Sequence, residues 1–474
     1  MATVPHQLPE IDTKDYKVFV TSLCVIVFVA LALLVQLNNV AEPTTIYLVF
    51  VGAMVLSSLA CILQPFVNLT LALVYLIGPV PSFLDVRYSA AITAVLIGNC
   101  FIGCVLIGRF KHSFARHSLR IPAMLCLVAA FSAVYGLARG NQAAFVLGDL
   151  YQVLEFSAIF FLARSLIQSE QQFRTLANTI VGAIIIASVL QMADALRGAT
   201  YLPHLNQQGI DVARTINMNA PIAFVTLLAT LGVAKYKKWI LAGMGILSVN
   251  LVWSFTRGLW LAAFASSVFL LILQGGKFRR AILKCVLAFC LLAVPSFFAS
   301  GLGSIVTERI GYSSQQFDSA SEEDQNMSGR RLLEYILVLP HVAEHPIAGN
   351  GLGATFLIAG NAVLEGPKGE QIDFHYIHNL YLLIAFRLGI PALLVLLTLV
   401  WKYFRESTKR LKDLSLSPDT SALLVGLVAA IFGEVVLSVT SPTLLNHPTA
   451  GLLGCIMAIT TTGLRAKPQA SGLN

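Results

Sequence analysis

The chain has 474 residues, of which 57% are hydrophobic and only 12% charged, with a mean hydropathy of +0.77. A water-soluble domain carries about 25% charged residues, so this composition lacks the polar surface to coat a globule and excludes soluble, fibrous and disordered classes. The 32 basic residues exceed the 24 acidic ones, a net charge of +8, and in so apolar a chain that surplus sets membrane topology rather than indicating a nucleic-acid partner.

Residues 1–16 are polar and mixed in charge, without the short apolar stretch and small-residue cleavage site of a signal peptide, and are expected to form a cytoplasmic tail. Uncharged runs follow, each long enough to cross roughly 30 Å of hydrocarbon as a helix. Within 17–300 they lie near 18–37, 45–63, 65–84, 89–108, 119–138, 143–166, 173–193, 215–234, 239–255, 258–274 and 280–300, giving eleven expected spans. Three more lie within 377–463, near 377–401, 419–440 and 447–463, and a second cytoplasmic tail covers 464–474. The runs are continuous rather than alternating, which excludes a transmembrane β-barrel. The expectation is an all-α polytopic membrane protein of about 12–14 transmembrane helices. All eight cysteines fall inside apolar runs, so neither a structural disulfide nor a metal cluster is expected.

Basic residues orient these spans. With the N-terminus in the cytoplasm, 22 of the 32 collect on that side: Lys14 and Lys17; Arg109, Lys111, Arg116 and Arg120; Arg164 and Arg174; Lys235, Lys237 and Lys238; Lys277, Arg279, Arg280 and Lys284; Lys402, Arg405, Lys409, Arg410 and Lys412; Arg465 and Lys467. Both termini are therefore cytoplasmic. The opposite face receives a short loop near 194–214 and one long segment, 301–376, in which acidic residues outnumber basic ones. Within it, Gly329 to Leu339 reads as an amphipathic helix stopped by Pro340.

That face carries a set of basic groups. Arg257 sits in Ser254-Phe255-Thr256-Arg257-Gly258, a minimal break between two spans. An arginine there can simply snorkel to headgroups, but topology gives no reason to place one on this side. Arg214 ends the short loop, and Arg330 and Arg331 are adjacent on the amphipathic helix. A glycine-rich segment, His345-Pro346-Ile347-Ala348-Gly349-Asn350-Gly351-Leu352-Gly353, could cradle a phosphate with its N–H groups or form a plain turn. His375 and His378, with Asn379, open the next span. One turn apart, the two histidines also raise a metal reading, but no cysteine and no HExxH-type glutamate accompanies them. Within the spans, Glu155, Arg387 and Glu434 are expected to be paired or to face a cavity. Several guanidiniums from separate segments, without matching carboxylates, suggest a large anion, because the bidentate fork suits phosphate or pyrophosphate. A histidine beside them suggests transfer from a lipid-phosphate donor.

Thr256-Arg257-Gly258 at a helix start, Gly329-Arg330-Arg331-Leu332 in the loop, the segment 345–353 and His378-Asn379 opening a span come in an order that resembles the O-antigen ligase and polymerase family. The resemblance covers roughly residues 210–400. It implies a GT-C-like bacterial inner-membrane enzyme, active at the periplasmic face, that moves glycan from undecaprenyl diphosphate to an acceptor hydroxyl, without metal or other cofactor and with inversion. His378 would be the family's essential histidine, Arg257 the arginine at the helix start, and Arg330 or Arg331 the loop arginine, with a preference for Arg330. Arg331, Arg214, Asn379 and His375 would help bind diphosphate or glycan. The acceptor could be lipid A core, a growing glycan or a protein, so ligase and polymerase stay open. The alternative is a transporter or flippase of lipid-linked glycan, which would need polar groups distributed through the spans. Reporter fusions after Lys238, Lys284 and Lys412 should read as cytoplasmic and one near Asn326 as periplasmic; a cytoplasmic signal at Asn326 would contradict the shared face.

Overall fold

In lipid, backbone N–H and C=O groups find no water, so apolar segments close their hydrogen bonds internally as helices. A computed structural model of the chain describes residues 52, 55–59, 61–78, 86–108, 120–196, 217–254, 256–274, 280, 327–357, 373–375, 377–412, 416–443, 447 and 449–462. In chain order these form α1 (Pro65–Ile77), α2 (Val86–Leu106), α3 (Arg120–Ala138), α4 (Ala143–Leu166), α5 (Glu170–Leu196), α6 (Ala220–Thr230), α7 (Lys237–Trp253), α8 (Arg257–Leu273) and α9 (Met327–Glu344). After a two-residue ladder of β1 (Phe356–Leu357) against β2 (Asp373–Phe374) come α10 (Leu380–Leu388), α11 (Ile390–Arg410), α12 (Pro418–Leu437) and α13 (Thr449–Thr461). Four of these helices are long and apolar enough to cross a membrane by length and composition. Large apolar side chains such as Leu127, Phe131, Val134, Phe264 and Ile272 are exposed, as a lipid solvent allows. The chain is an all-α, multi-pass membrane protein. The two tails, the expected spans near 18–37 and 280–300 (residue 280 excepted) and the whole of residues 301–326 lie outside the described residues.

The chain divides into two units, one of residues 1–72 and 80–107 and one of residues 73–79 and 108–474. In the first, Cys100 Sγ donates to the Pro65 carbonyl at 3.1 Å and Asn99 Nδ2 to Ser58 Oγ at 3.1 Å. The second holds everything discussed below.

α12 is the centre of that second unit and packs against α5, α6, α8 and α13. Small residues make the approach possible, as is usual where lipid supplies no hydrophobic driving force between helices. A Cβ on Gly426 would stand 2.7 Å from Thr226 Cα of α6, and one on Gly433 2.6 Å from the Ala262 carbonyl of α8. α13 lies against α4 in the same way, with Gly454 set on the Phe156 carbonyl. One end of this bundle is tied by polar groups. Arg174 meets Asp419 at 3.2 Å, Thr420 Oγ1 donates to Glu170 at 2.6 Å, Arg164 donates to Thr461 at 2.8 Å, and Arg410 donates to the Ile459 carbonyl at 2.9 Å. Those residues begin α5 and α12 and end α4, α11 and α13.

Two expectations change. The apolar run 377–401 is not one helix: it breaks at Gly389, whose φ is +86°, and a Cβ there would lie 2.1 Å from the Ile347 carbonyl oxygen. α10 is thus a short helix of nine residues, and only α11 continues to the Arg410 end. Pro340 also fails to stop α9, which runs on to Glu344. Proline removes one helical hydrogen bond, that to the carbonyl four residues earlier, and here that residue is Ile336 on the exposed face, where another partner can serve.

Close packing at α13 gives a stability test. A Cβ on Gly454 would sit 2.4 Å from the Phe156 carbonyl, whereas Gly245 has nothing within 4 Å. Gly454→Val should cost about 1–3 kcal/mol by overpacking and lower the melting temperature of the detergent-solubilised protein, whereas Gly245→Ala should not.

Candidate functional site

At the end of the bundle opposite Arg410, the last turn of α12 gathers three distant segments on consecutive residues. A Cβ on Gly258, the neighbour of Arg257 at the start of α8, would lie 2.8 Å from Leu437 Cδ1 and 2.9 Å from Thr440 Oγ1. The Leu380 N–H, at the start of α10, donates to the Ser438 carbonyl at 2.9 Å. Tyr335 Oη of α9 donates to the Val439 carbonyl at 3.4 Å. Four carbonyls of any helix end lack an internal partner, as do four N–H groups of any helix start. The carbonyls of Glu434, Val436 and Leu437 are met locally by the N–H groups of Ser438, Val439 and Thr440, and the Ser438 carbonyl, just past α12, answers the start of α10.

His378 and Asn379 stand at this junction. Glu334, on the inward face of α9 and 5% exposed, grips His378 twice: Nδ1 lies 2.7 Å from Oε1, and the backbone N–H donates to Oε2 at 3.1 Å. Asn379 caps α10 by accepting the Leu382 N–H at 3.0 Å, and its Nδ2 donates to Tyr335 Oη at 3.5 Å. Residues 334 and 335 thus dock on residues 378 and 379. Val338, Val342, Phe356, Ile377 and Phe386 form the apolar cluster beneath.

His375 lies in a second cluster. Asp149 of α4, itself 6% exposed, accepts from Arg387 Nη1 at 2.7 Å and from the Gly353 N–H at 2.8 Å, and His375 Nε2 stands 3.2 Å from its Oδ1. The His375 ring stacks on Phe145 with centroids 4.2 Å apart, and its carbonyl accepts from Arg387 Nη2. The glycine segment closes round the same pair. The Asn350, Gly351 and Leu352 N–H groups donate to the carbonyls of Phe386, Arg387 and Ser132, respectively. Its successive amides are engaged by the protein's own acceptors, so the turn joins α3, α4 and the break at Gly389. Glycine is required there, since φ is +66°, +85° and +75° at Gly349, Gly351 and Gly353.

The other sequence-derived candidates are placed less completely. Arg257 is the first residue of α8, and Arg330 and Arg331 fall in the opening turns of α9. Arg214 lies outside the described residues. Glu155 meets His447 at 2.8 Å across α4 and the approach to α13, so it and Arg387 are paired between helices. Glu434 is wholly buried one turn before Ser438. Among the described residues, no group of three or more His, Cys, Asp or Glu side chains is placed to hold a metal ion.

Sequence reasoning missed three contributors. Glu334 stands in plain view three residues after Arg331, yet its partner lies 44 positions away. Asp149 is a charge within an apolar span, the signal that marked Glu155 and should have marked it too. Ser438 contributes only a carbonyl, which no sequence pattern marks. The buried Asp149–Arg387 pair yields a test. Asp149→Ala would leave the Arg387 guanidinium buried without its carboxylate, which typically costs about 3–5 kcal/mol. The variant should accumulate poorly in membranes, and Asp149→Ala/Arg387→Met should recover part of the loss.

Comparison with known families gives one match: residues 242–397 fit the family described as O-antigen ligase. No curated protein matches the chain. The matched stretch runs from within α7 to within α11 and includes the start of α8, α9 with Glu334, the glycine turn, His375 and His378. Across residues 242–397, about a third of the chain, the sequence is similar to the O-antigen ligase family.

Proposed function

We propose that the protein is a membrane glycosyltransferase that transfers glycan from undecaprenyl diphosphate to an acceptor hydroxyl at the periplasmic face of the bacterial inner membrane. The observation that carries this reading is the convergence on residues 437–440 of the α8 start, the loop helix α9 and the His378-Asn379 entry to α10. These are the segments that hold the expected arginines and histidine.

In this mechanism the acceptor oxygen attacks the anomeric carbon of the lipid-linked sugar. The bond from that carbon to the diphosphate oxygen breaks on the opposite side, so the configuration inverts. His378 takes the acceptor proton as general base, a role typically worth about 10²–10⁴ in rate. Undecaprenyl diphosphate leaves carrying negative charge, and Arg257 and Arg330 stabilise that charge, each such contact typically contributing about 10²–10³. Arg331, Arg214, Asn379 and His375 help to bind the diphosphate and glycan. Counting at 3.6 residues per turn puts Arg330 about 40° from Glu334 and Arg331 about 60° to the other side, so α9 turns the Arg330 position more nearly toward the His378 face. No metal takes part. Transport of lipid-linked glycan fits less well, because Glu155 and Arg387 within the bundle are closed against His447 and Asp149 rather than set along a path.

Membranes supplied with lipid-linked donor and acceptor test this directly. His378→Ala should abolish transfer while the protein still accumulates, and His375→Ala should be milder, since that ring is held against Asp149. Arg257→Lys should fail nearly as badly as Arg257→Ala, because an ammonium keeps the charge but not the planar fork. Full activity of Arg257→Lys would reduce Arg257 to a headgroup anchor. The glycan profile of a deletion strain separates the two chemistries. Capped single repeats on the acceptor mean a lost polymerase, and long chains left on the lipid carrier mean a lost ligase.

A further inference from the structure

We propose that Glu334 is the positioning residue for His378, fixing the imidazole as the Nδ1–H tautomer and making the loop helix α9 an integral part of the catalytic base. The inference rests on His378 serving as the base in the reading above, and extends it to a residue outside the arginine and histidine motifs.

The argument is one of hydrogen-bond inventory. Glu334 is 5% exposed, and a carboxylate removed from water needs partners for its oxygens. Both are supplied by one residue: Oε1 stands 2.7 Å from His378 Nδ1, and Oε2 accepts the His378 backbone N–H at 3.1 Å. An ionised carboxylate only accepts hydrogen bonds, so Nδ1 carries the proton and the lone pair of the neutral ring lies on Nε2. The short separation is that of a charge-assisted bond, which also stabilises the imidazolium formed when Nε2 takes the acceptor proton. Holding ring and backbone together fixes both the ring's rotation and the chain that carries it. The neighbouring contact repeats the pairing, with Asn379 donating to Tyr335, which itself donates to Val439. Docking of α9 thus aligns the base.

The test uses the purified full-length protein with Glu334→Gln, Glu334→Asp and His378→Ala. Glutamine keeps the shape but presents an NH2 group to one of the two donors and removes the charge. Glu334→Gln should lower kcat by about 10²-fold, the lower end of what a positioned base supplies, with little change in the KM for lipid-linked donor. Glu334→Asp should recover part of that loss. With all nine histidines ¹⁵N-labelled, the signal missing in His378→Ala should report Nδ1–H in the wild type and a tautomer mixture in Glu334→Gln. Wild-type kcat in Glu334→Gln, or an Nε2–H tautomer in the unsubstituted protein, overturns the inference; the second measurement decides even if Glu334→Gln fails to accumulate. Retained transfer in His378→Ala would instead remove the base itself, so the two failures are distinguishable.

Discussion

In an apolar solvent backbone carbonyls must find donors, and those of Ser438 and Val439, just past the end of α12, find them on other segments. Ser438 takes the Leu380 N–H and Val439 takes the Tyr335 hydroxyl, while Leu437 and Thr440 close against Gly258. These contacts fix where α8 and α10 begin relative to one another and where the middle of α9 docks on them. α12 itself is held by close approach at Gly426 and Gly433, with its first turn tied to α5 through Glu170 and Arg174. The junction's geometry is inherited from a helix that lies wholly outside the stretch matching the O-antigen ligase family.

A second polar device supports the first. α10 is too short to be fixed by its own packing alone, and its far end is held by the Arg387–Asp149 pair, the glycine turn and the break at Gly389. One end of α10 thus rests on α12 and the other on α3 and α4. His375 and His378 both precede the start of this helix but meet different carboxylates, Asp149 and Glu334 respectively. Two histidines one turn apart in sequence are separated in role by their partners, which explains why the spacing alone favoured no single chemistry.

Composition and charge bias were enough to read an all-α, multi-pass membrane protein, because lipid leaves so few ways to close a backbone. Order along the chain also carried the family resemblance, and Arg257, Arg330/Arg331, the glycine segment and His378 all fall within residues 242–397, the stretch that matches the O-antigen ligase family. The break at Gly389 was hidden within a continuous apolar run: what it needs is a left-handed residue facing Ile347, and that contact comes from 42 residues earlier. The partners of Glu334 and Asp149 were equally hidden, since a carboxylate's meaning depends on which cation or N–H it meets, although Asp149 is marked as a charge within an apolar span. The arginine cluster read as lacking carboxylates in sequence, yet α9 brings its own carboxylate to the junction through Glu334. The glycine segment read as a phosphate cradle or a turn, and the engaged amides of residues 350–353 fit the turn.

The most direct measurement asks whether α9 lies on the end of α12 in the membrane. Ile336 and Val439 are both exposed, and each neighbours a residue of the Tyr335–Val439 contact or belongs to it. In a cysteine-free background, Ile336→Cys/Val439→Cys treated in membranes with a short bifunctional maleimide should cross-link within a single chain, and neither single variant should do so. Absence of an intrachain cross-link, with both cysteines still open to a monofunctional maleimide, would contradict the assembly of the site on α12.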